Sequence, residues 1–418
     1  MDPFTIVIVI IATIFCIYMA WNIGANDVAN AMGTSVGSKA LTIKGAILVA
    51  AIFEFSGAVF VGSRVTDTIR RGMVDTTIFV GEPMILVYGM MAALLAAAIW
   101  LNIASKYGLP VSTTHSIVGA VTGFGIVAGG FAAISWGTML KIVSSWAVSP
   151  LSGGIMAFAL FSFVNKKIIN ADDPLESLRV YVPILVFIVI TIIGLAVFYE
   201  GLASLQLPVT FWQALGLAGG VGIAASYAVK RFINRVISQR TPETLDRFNF
   251  IEYIFKYLQI ITACYVAFAH GSNDVANAVG PFAAIISIVQ TESVLAKTEV
   301  PIWVLAMGGI GIVIGLATYG YKVMETIGTK ITELTPSRGF SAEFGAATTV
   351  LICSKLGIPI STTHTLVGAV IGVGFARGIS ALDFRVVRNI FSSWFITLPA
   401  TMLISIILFL IFRFIFGV

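Results

Sequence analysis

Apolar stretches of about 20 residues recur along this chain, and they constrain its fold more than any other feature. A helix of that length spans the hydrocarbon core of a bilayer. Only 11% of the 418 residues are charged, whereas soluble domains carry about 25%. So few charges cannot cover a water-facing surface, and lipid must be the solvent for much of the protein. Candidate segments lie near residues 4–22, 41–62, 84–104, 113–131, 138–163, 181–200, 209–229, 251–270, 275–290, 302–321, 342–356, 361–377 and 388–416.

Two long motifs occur twice, once in each half of the chain. GANDVANA at 24–31 returns as GSNDVANA at 271–278, with seven of eight positions identical. SKYGLPVSTTHSIVGAVTGFG at 105–125 returns as SKLGIPISTTHTLVGAVIGVG at 354–374, with 14 of 21 positions identical. The separations of 247 and 249 residues are nearly equal, which indicates an internal duplication.

These features predict an all-α polytopic membrane protein built from two repeats. The first repeat covers 1–229 and the second 251–418, and the basic interval 230–250 is predicted to be a cytoplasmic linker by the positive-inside rule. Seven apolar segments precede the second copy. If all seven span, the repeats are inverted, a frequent transporter design, whereas one re-entrant segment would change that parity.

The Asn-Asp motifs each place a carboxylate, Asp27 or Asp274, in otherwise uncharged sequence. A charge at membrane depth is costly and marks a functional site. Gly24 and Gly271 precede the motifs, and we expect the helices to break there and free backbone carbonyls for a ligand. Oxygen ligands suit a small hard cation, amide N–H groups suit an anion, and simple interhelical hydrogen bonding is the alternative. The predicted cation ligands are Asp27, Asn30, Asp274 and Asn277, and the predicted anion donors are Asn26 and Asn273.

The Ser-Thr-Thr-His segments follow Gly-x-Pro and precede an apolar run, so each predicts a helix start. First-turn N–H groups lack internal partners and carry partial positive charge, which makes a helix start an anion site. Two such starts could grip one tetrahedral oxyanion from both sides, although ordinary capping is the alternative. The predicted phosphate ligands here are Ser112, Thr113, Thr114, Ser361, Thr362 and Thr363.

Two further carboxylates, Glu54 and Glu343, stand alone among small or apolar residues, and neither has an acidic counterpart in the other repeat. Each is predicted to be a cation ligand or a gate, with an ion pair as the alternative. His115 and His364 are interpreted as neutral groups near the helix starts, with a proton role left open. No assembled catalytic set is visible, so we predict no enzyme activity, no catalytic residues and no cofactor.

At these motifs the sequence resembles the PiT family of inorganic phosphate transporters, the solute carrier 20 type of sodium/phosphate symporter. That family carries duplicated G-x-N-D-V-x-N-A and P-x-S-x-T-H elements, which stand here at 24–31 with 271–278 and at 110–115 with 359–364. The resemblance implies inverted repeats with roughly twelve spanning segments, two of them broken or hairpin-like. It also implies that Asp27, Asp274, Glu54 and Glu343 are important for transport, and that the Ser-Thr-Thr segments hold phosphate.

The function expected from this resemblance is import of phosphate by symport with sodium, through alternating access in the cell membrane. Sodium is preferred to protons because the site offers many neutral oxygens. Proton-coupled phosphate or metal-phosphate symport, a sulfate permease, an anion channel and a membrane enzyme are the alternatives. The expected partners are phosphate, sodium or protons, and the lipid bilayer; nucleic acid need not be invoked, and a homodimer is left open.

Overall fold

A computed structural model describes residues 2–69, 73–202, 207, 209–238, 246–294, 300–321, 323–324 and 331–416, without the side chains of Asn30, Arg64, Glu200 and Ile379. In that part of the chain the regular structure is helical, and β-type pairing is limited to a bridge between Val74 and Ile134. The helices are α1 Pro3–Ile23, α2 Ala29–Gly37, α3 Ile43–Val61, α4 Ser63–Asp67, α5 Pro83–Lys106, α6 Thr113–Gly129, α7 Trp136–Val164, α8 Pro174–Leu195, α9 Phe211–Ser238, α10 Arg247–Thr291, α11 Ile302–Tyr319, α12 Pro336–Lys355, α13 Thr362–Arg377 and α14 Phe384–Phe416.

Eight helical segments in the described residues are long and apolar enough to cross a membrane. They are α1 with α2 as one segment, α3, α5, α7, α8, α10, α11 and α14. The longer helices of the described residues that are not among these eight are α6, α9, α12 and α13. The prediction of an all-helical polytopic membrane protein is confirmed.

Two helical hairpins, α5–α6 and α12–α13, carry the Ser-Thr-Thr segments at their tips. Each hairpin turns at a glycine with positive φ, 65° at Gly108 and 67° at Gly357. Glycine adopts that left-handed conformation without steric cost. The turns leave Ser112 and Ser361 buried inside the protein, so both helix starts face protein and not lipid.

The two repeats pack crosswise. Helix α6 of the first repeat lies against α14 of the second, and α13 of the second lies against α7 of the first. In the same way α3 packs on α10, and α11 packs on α1. Helices of each repeat therefore pack against helices of the other repeat, as expected for two inverted copies that share one core.

The expected break in the Asn-Asp helices is wrong for Gly271, which lies inside the continuous helix α10. In the first copy, Gly24–Val28 is a widened π-helical turn that joins α1 to α2 without ending the helix. Both glycines permit close helix crossings instead. A Cβ on Gly24 would lie 1.8 Å from the carbonyl oxygen of Ile312, and one on Gly271 would lie 2.1 Å from that of Glu54. Small residues let membrane helices touch through their backbones.

The predicted linker 230–250 lies partly outside the described residues, at 239–245. On either side, α9 continues to Ser238 and α10 begins at Arg247. Helix α10 starts where the Asp246 carboxylate accepts backbone N–H groups of Phe248 and Asn249, a typical N-cap. The cytoplasmic side of this segment stays a prediction.

Candidate functional site

The two Ser-Thr-Thr segments form the starts of α6 and α13, as predicted from their Pro and Ser residues. The Ser112 hydroxyl oxygen accepts the backbone N–H of His115 at 3.1 Å, and Ser361 accepts that of His364 at the same distance. Both serines are therefore N-caps. The neighbouring threonines begin the helices, and their hydroxyl groups donate hydrogen bonds to buried acceptors.

Asp27 receives threonine hydroxyl groups from both repeats. Thr113, at the start of α6, donates to Oδ2 of Asp27 at 2.5 Å. Thr363, in the first turn of α13, donates to Oδ1 of the same carboxylate. Asp27 is buried, so these charge-assisted hydrogen bonds join the two helix starts around one carboxylate.

Asp274 repeats this arrangement with the roles of the copies exchanged. Thr362, at the start of α13, donates to Oδ2 of Asp274 at 2.7 Å. The Thr114 hydroxyl of α6 lies 3.5 Å from Oδ1 of Asp274 and donates to the carbonyl of Ile360 at 2.8 Å. Each aspartate thus meets the first threonine of its own repeat and the second threonine of the other. The four threonines and two aspartates form one two-fold cluster, which we call the central cluster.

The amide of Asn277 lies inside the central cluster. Its Nδ2 donates to Oδ1 of Asp274 and to Oγ1 of Thr113, each at 3.0 Å. Its Oδ1 atom is buried and has no hydrogen-bond partner among the described residues. A buried oxygen without a donor is suited to a cation. Asn30, the equivalent residue of the first copy, has a side chain that lies outside the described part of the protein.

The predicted anion donors Asn26 and Asn273 point away from the central cluster toward the hairpin helices. Asn26 Nδ2 donates to Oγ of Ser105 and to the carbonyl of Leu109, each at 3.0 Å. Asn273 makes the equivalent bond to Oγ of Ser354 at 3.2 Å. These bonds tie the Asn-Asp helices to the ends of α5 and α12, so in this conformation both amides position the helix starts.

His270 connects Glu54 to the central cluster. Its Nδ1 atom lies 3.0 Å from Oε2 of Glu54, and its Nε2 atom lies 2.8 Å from Oδ2 of Asp274. All three side chains are buried. One imidazole thus bridges two carboxylates, and ligand atoms of Asp27, His270 and Asp274 lie within 4.8 Å of one another.

Glu343 occupies a separate buried site, which we call the Glu343 cage. Thr34 and Ser35 donate to Oε1 at 2.8 and 2.5 Å, and Gln259 Nε2 donates to the same atom at 3.0 Å. Thr262 donates to Oε2 at 2.7 Å. Three helices, α2, α10 and α12, supply these groups. The carboxylate is surrounded by neutral oxygens and one amide, and the described residues place no cationic side chain against it.

The space beside the central cluster is small. A cavity of about 10 Å³ touches Asp27, His270, Thr362 and Thr363. About 10–15 Å³ by this measure holds one water molecule. A tetrahedral oxyanion therefore needs the two helix starts to separate before it can lie between them.

Sequence reasoning missed five residues of these two sites. His270 stands directly before the second Asn-Asp motif, so its position was a usable signal. The cage partners Thr34, Ser35, Gln259 and Thr262 carry no motif, and up to 309 residues separate them from Glu343. Polar residues one helical turn apart, such as Gln259 and Thr262 in an apolar helix, were the available signal.

Comparisons with known proteins identify the family of this chain. Residues 23–405 match the model of the phosphate transporter family. A relative from Pyrococcus abyssi that is named as a phosphate permease is 48% identical over 98% of both chains. The chloroplastic inorganic phosphate transporter 2-1 of Arabidopsis thaliana is 44% identical over 94% of this chain and 70% of its own length. A solved structure described as the sodium-dependent phosphate transporter is 44% identical, with a TM-score of 0.88 over 98% of this chain and 100% of that one.

Proposed function

Because this chain belongs to the phosphate transporter family, which is a family of transporters and not of enzymes, we propose that it imports inorganic phosphate together with sodium. Phosphate transport and a multi-pass membrane location follow from the family and from the membrane-spanning helices. The coupling ion, alternating access and the roles of individual residues are our proposal, and the cell membrane remains the predicted location.

Phosphate binds between the starts of α6 and α13 in this proposal. The observation that carries it is the two-fold hydrogen-bond pattern of the central cluster, in which threonines from both repeats converge on Asp27 and Asp274. First-turn N–H groups and threonine hydroxyls are anion donors at a helix start. Two such starts facing each other can contact a tetrahedral anion on opposite sides. The proposed ligands are Ser112, Thr113, Thr114, Ser361, Thr362 and Thr363, with Asn26 and Asn273 as amide donors after rearrangement.

The proposed site needs sodium because a threonine hydroxyl cannot donate its hydrogen to a carboxylate and to phosphate at the same time. Each hydroxyl has one hydrogen, and in this conformation Thr113 and Thr362 give theirs to Asp27 and Asp274. A cation bound to the carboxylate oxygens satisfies them and releases the hydroxyls to donate to phosphate. It also offsets the repulsion between an anion and two buried carboxylates. Sodium and phosphate therefore raise each other's affinity, which is reciprocal coupling.

We place a further sodium in the Glu343 cage, apart from the central cluster. The buried carboxylate and the side-chain oxygens of Thr34, Ser35 and Thr262 form a hard-oxygen site of the kind that binds small cations. Asp27, Asn30, Asp274 and Asn277 remain the proposed cation ligands of the central cluster. Glu54 acts there through His270 in this scheme, since the imidazole lies between the two acids.

The closed space between the helix starts supports alternating access as the transport mechanism. The cavity of about 10 Å³ has to widen for phosphate to enter, and the crosswise packing of the repeats allows one half to rock against the other. Helices α6 and α13 start at the same point from opposite repeats, so such a motion separates their tips toward either side of the membrane.

Proton coupling is the second candidate, and His270 is the observation that favours it. An imidazole between two buried carboxylates can hold and release a proton. Sodium remains our first choice because the Glu343 cage contacts no basic side chain among the described residues, and its oxygens suit a metal cation better than a proton carrier.

The test is radiolabelled phosphate uptake into liposomes that contain the purified protein, with sodium and pH gradients imposed separately and sulfate as competitor. A sodium gradient is expected to drive concentrative uptake, which sulfate does not block. Uptake driven only by the pH gradient would replace sodium with protons, and uncoupled flux would indicate a channel.

Asp27→Asn is expected to abolish sodium-driven uptake in the same assay, because the neutral amide loses the charge that holds sodium. The control is Asp75→Asn, since Asp75 lies in an exposed loop where it accepts hydrogen bonds from Thr77. Wild-type sodium stimulation in Asp27→Asn protein would remove Asp27 from the coupling site.

A further inference from the structure

A large apolar groove lies on the face of α13 that points away from the central cluster. It has a volume of about 1000 Å³, and α7, α13 and α14 form its walls. The walls include Leu151, Ile155 and Phe395, which are 64%, 67% and 80% exposed in the isolated chain. Because α7 and α14 are membrane-crossing helices, the groove opens to the interior of the bilayer.

Two buried imidazole rings form part of the groove's lining. His115 and His364 are 4% and 2% exposed, and their ring centroids lie 4.3 Å apart. Each packs on a tryptophan that also lines the groove, Trp146 at 3.6 Å and Trp394 at 3.4 Å between centroids. The two His–Trp pairs are equivalent in the two repeats, so this part of the groove lies near the two-fold axis that relates the repeats.

Five nitrogen atoms of these four side chains are buried and have no hydrogen-bond partner among the described residues. They are Nε2 of His115, Nδ1 and Nε2 of His364, and Nε1 of Trp146 and Trp394. A backbone group of Trp394 contacts the His115 ring, and a backbone group of Trp146 contacts the His364 ring. A buried polar atom without a partner costs about 1–3 kcal/mol.

Neither water nor the lipid tails of the bilayer can supply a hydrogen-bond partner for these nitrogen atoms. The bilayer core supplies no water, and the hydrocarbon tail of a phospholipid neither donates nor accepts a hydrogen bond. A charged head group at this depth would be costly in its own right. What fits both the nitrogens and the apolar walls is an uncharged molecule with a hydrogen-bonding oxygen and a hydrocarbon body.

This groove is distinct from the proposed phosphate site. Along α13, Thr362, Thr363 and Leu366 line the small cavity at the central cluster. His364 and Gly368 line the groove, on the other face of the same helix.

We propose that the groove binds a neutral, membrane-soluble amphiphile with a hydroxyl or carbonyl head. The head hydrogen-bonds to the nitrogen atoms of the His115–Trp146 and His364–Trp394 pairs. The hydrocarbon part lies along α7 and α14 against Leu151 and Phe395. A volume of about 1000 Å³ is at the upper end of the range of about 300–1,000 Å³ for small-molecule sites.

Photo-crosslinking tests this proposal in the full-length protein, reconstituted in phosphatidylcholine liposomes. The probe is a 16-carbon primary alcohol with a diazirine near its hydroxyl, and its partner is the same chain without the hydroxyl. We expect the alcohol to label peptides covering 143–158 and 391–399 about tenfold more than the alkane, because one or two hydrogen bonds of about 1 kcal/mol each are gained. Equal labelling by both probes would overturn the proposal.

Ala147→Trp and Val148→Trp form a matched pair on α7. Ala147 lines the groove, whereas the neighbouring Val148 is 58% exposed and does not. Ala147→Trp is expected to abolish the selective labelling by filling the groove, and Val148→Trp is expected to keep it. Retention in Ala147→Trp, or crosslinks between two copies of the chain through these peptides, would contradict an amphiphile site.

A second pair of variants tests the nitrogen atoms without filling the groove. Trp146→Phe with Trp394→Phe removes both indole N–H groups and keeps aromatic rings, so the preference for the alcohol should fall several-fold. Trp303→Phe is the control, because Trp303 is exposed on α11 outside the groove. An unchanged preference in the double variant would show that the indoles do not recognise the head.

Discussion

The first and second copies of the repeat meet at equivalent helix starts, yet each contributes a carboxylate that the other lacks. Gly24 crosses α11 at Ile312, and Gly271 crosses α3 at Glu54. The first crossing therefore has isoleucine where the second has glutamate. Likewise, equivalent hairpin positions are 249 residues apart, so the first repeat has Leu94 at the position that corresponds to Glu343 in the second. The shared residues form a symmetric central cluster. The unshared acids form the His270 bridge and the Glu343 cage, each of which includes an acid that is present in one repeat only.

In the proposed mechanism, this difference gives the two kinds of residue separate tasks. A symmetric site can face either side of the membrane with the same ligands, which suits a substrate that must be released as readily as it is bound. The unshared acids cannot exchange roles when the repeats rock. We therefore expect the shared threonines to set phosphate affinity, and Glu54 and Glu343 to set the coupling to cations.

The largest expected effect concerns the shared helix crossings. Gly271→Leu should prevent folding, because even its Cβ atom would lie 2.1 Å from the Glu54 carbonyl oxygen and both helices would have to move. Fluorescence-detected size-exclusion chromatography should show no monodisperse protein. Gly216→Leu on α9 is the control, since nothing lies within 4 Å of an added Cβ there. A folded Gly271→Leu protein would show that this crossing does not need glycine.

The next effect separates the Glu343 cage from the central cluster. Glu343→Gln should lower sodium-driven phosphate uptake about 100-fold, because the sodium proposed for the cage loses its charged ligand, and an interaction with a charged group is worth about 1.5–3 kcal/mol. The control is Glu252→Gln, at a buried carboxylate that accepts bonds from the backbone and hydroxyl of Ser337. Its amide oxygen still accepts, so uptake should stay within about threefold of wild type. Equal losses in both variants would indicate a structural role for Glu343.

A smaller effect tests the symmetry itself. Thr113→Val and Thr362→Val remove equivalent hydroxyls, and each should weaken phosphate binding about tenfold, the value of one hydrogen bond to a charged group. Equilibrium binding of radiolabelled phosphate in sodium measures this. Thr122→Val on α6 is the control, because its hydroxyl donates to the Val118 carbonyl of the same helix at 2.7 Å and lies 3.9 Å from the Met139 sulfur of α7, outside the central cluster. Losses that differ strongly between the two variants would break the two-fold description.

Much of this architecture could be predicted from the sequence because the duplication is local and explicit. Pro110 and Ser112 define the start of α6, and Pro359 and Ser361 define that of α13, through backbone restrictions that act over a few residues. The inference that two starts from different halves would meet followed from the repeat. That each aspartate takes one threonine from each repeat required the structure, since it depends on how α6 and α13 cross.

The remaining features depend on tertiary packing, which leaves little trace in one sequence. Gly271 was expected to end a helix, but its neighbour Glu54 on α3 explains it as a contact point. The partners of Glu343 come from α2 and α10, and no motif links Ser35 or Thr262 to that acid. Isolated polar residues in apolar helices signal such contacts, but they do not say which residue they contact.

In the proposed mechanism, sodium at the carboxylates releases the threonine hydroxyls for phosphate. The most direct test is the dissociation constant of phosphate for the purified protein, measured in sodium and in choline at equal ionic strength. Coupling of about 1–3 kcal/mol predicts phosphate binding roughly 5- to 150-fold tighter in sodium. The same dissociation constant in both salts would contradict the account, because phosphate would then bind without any help from sodium.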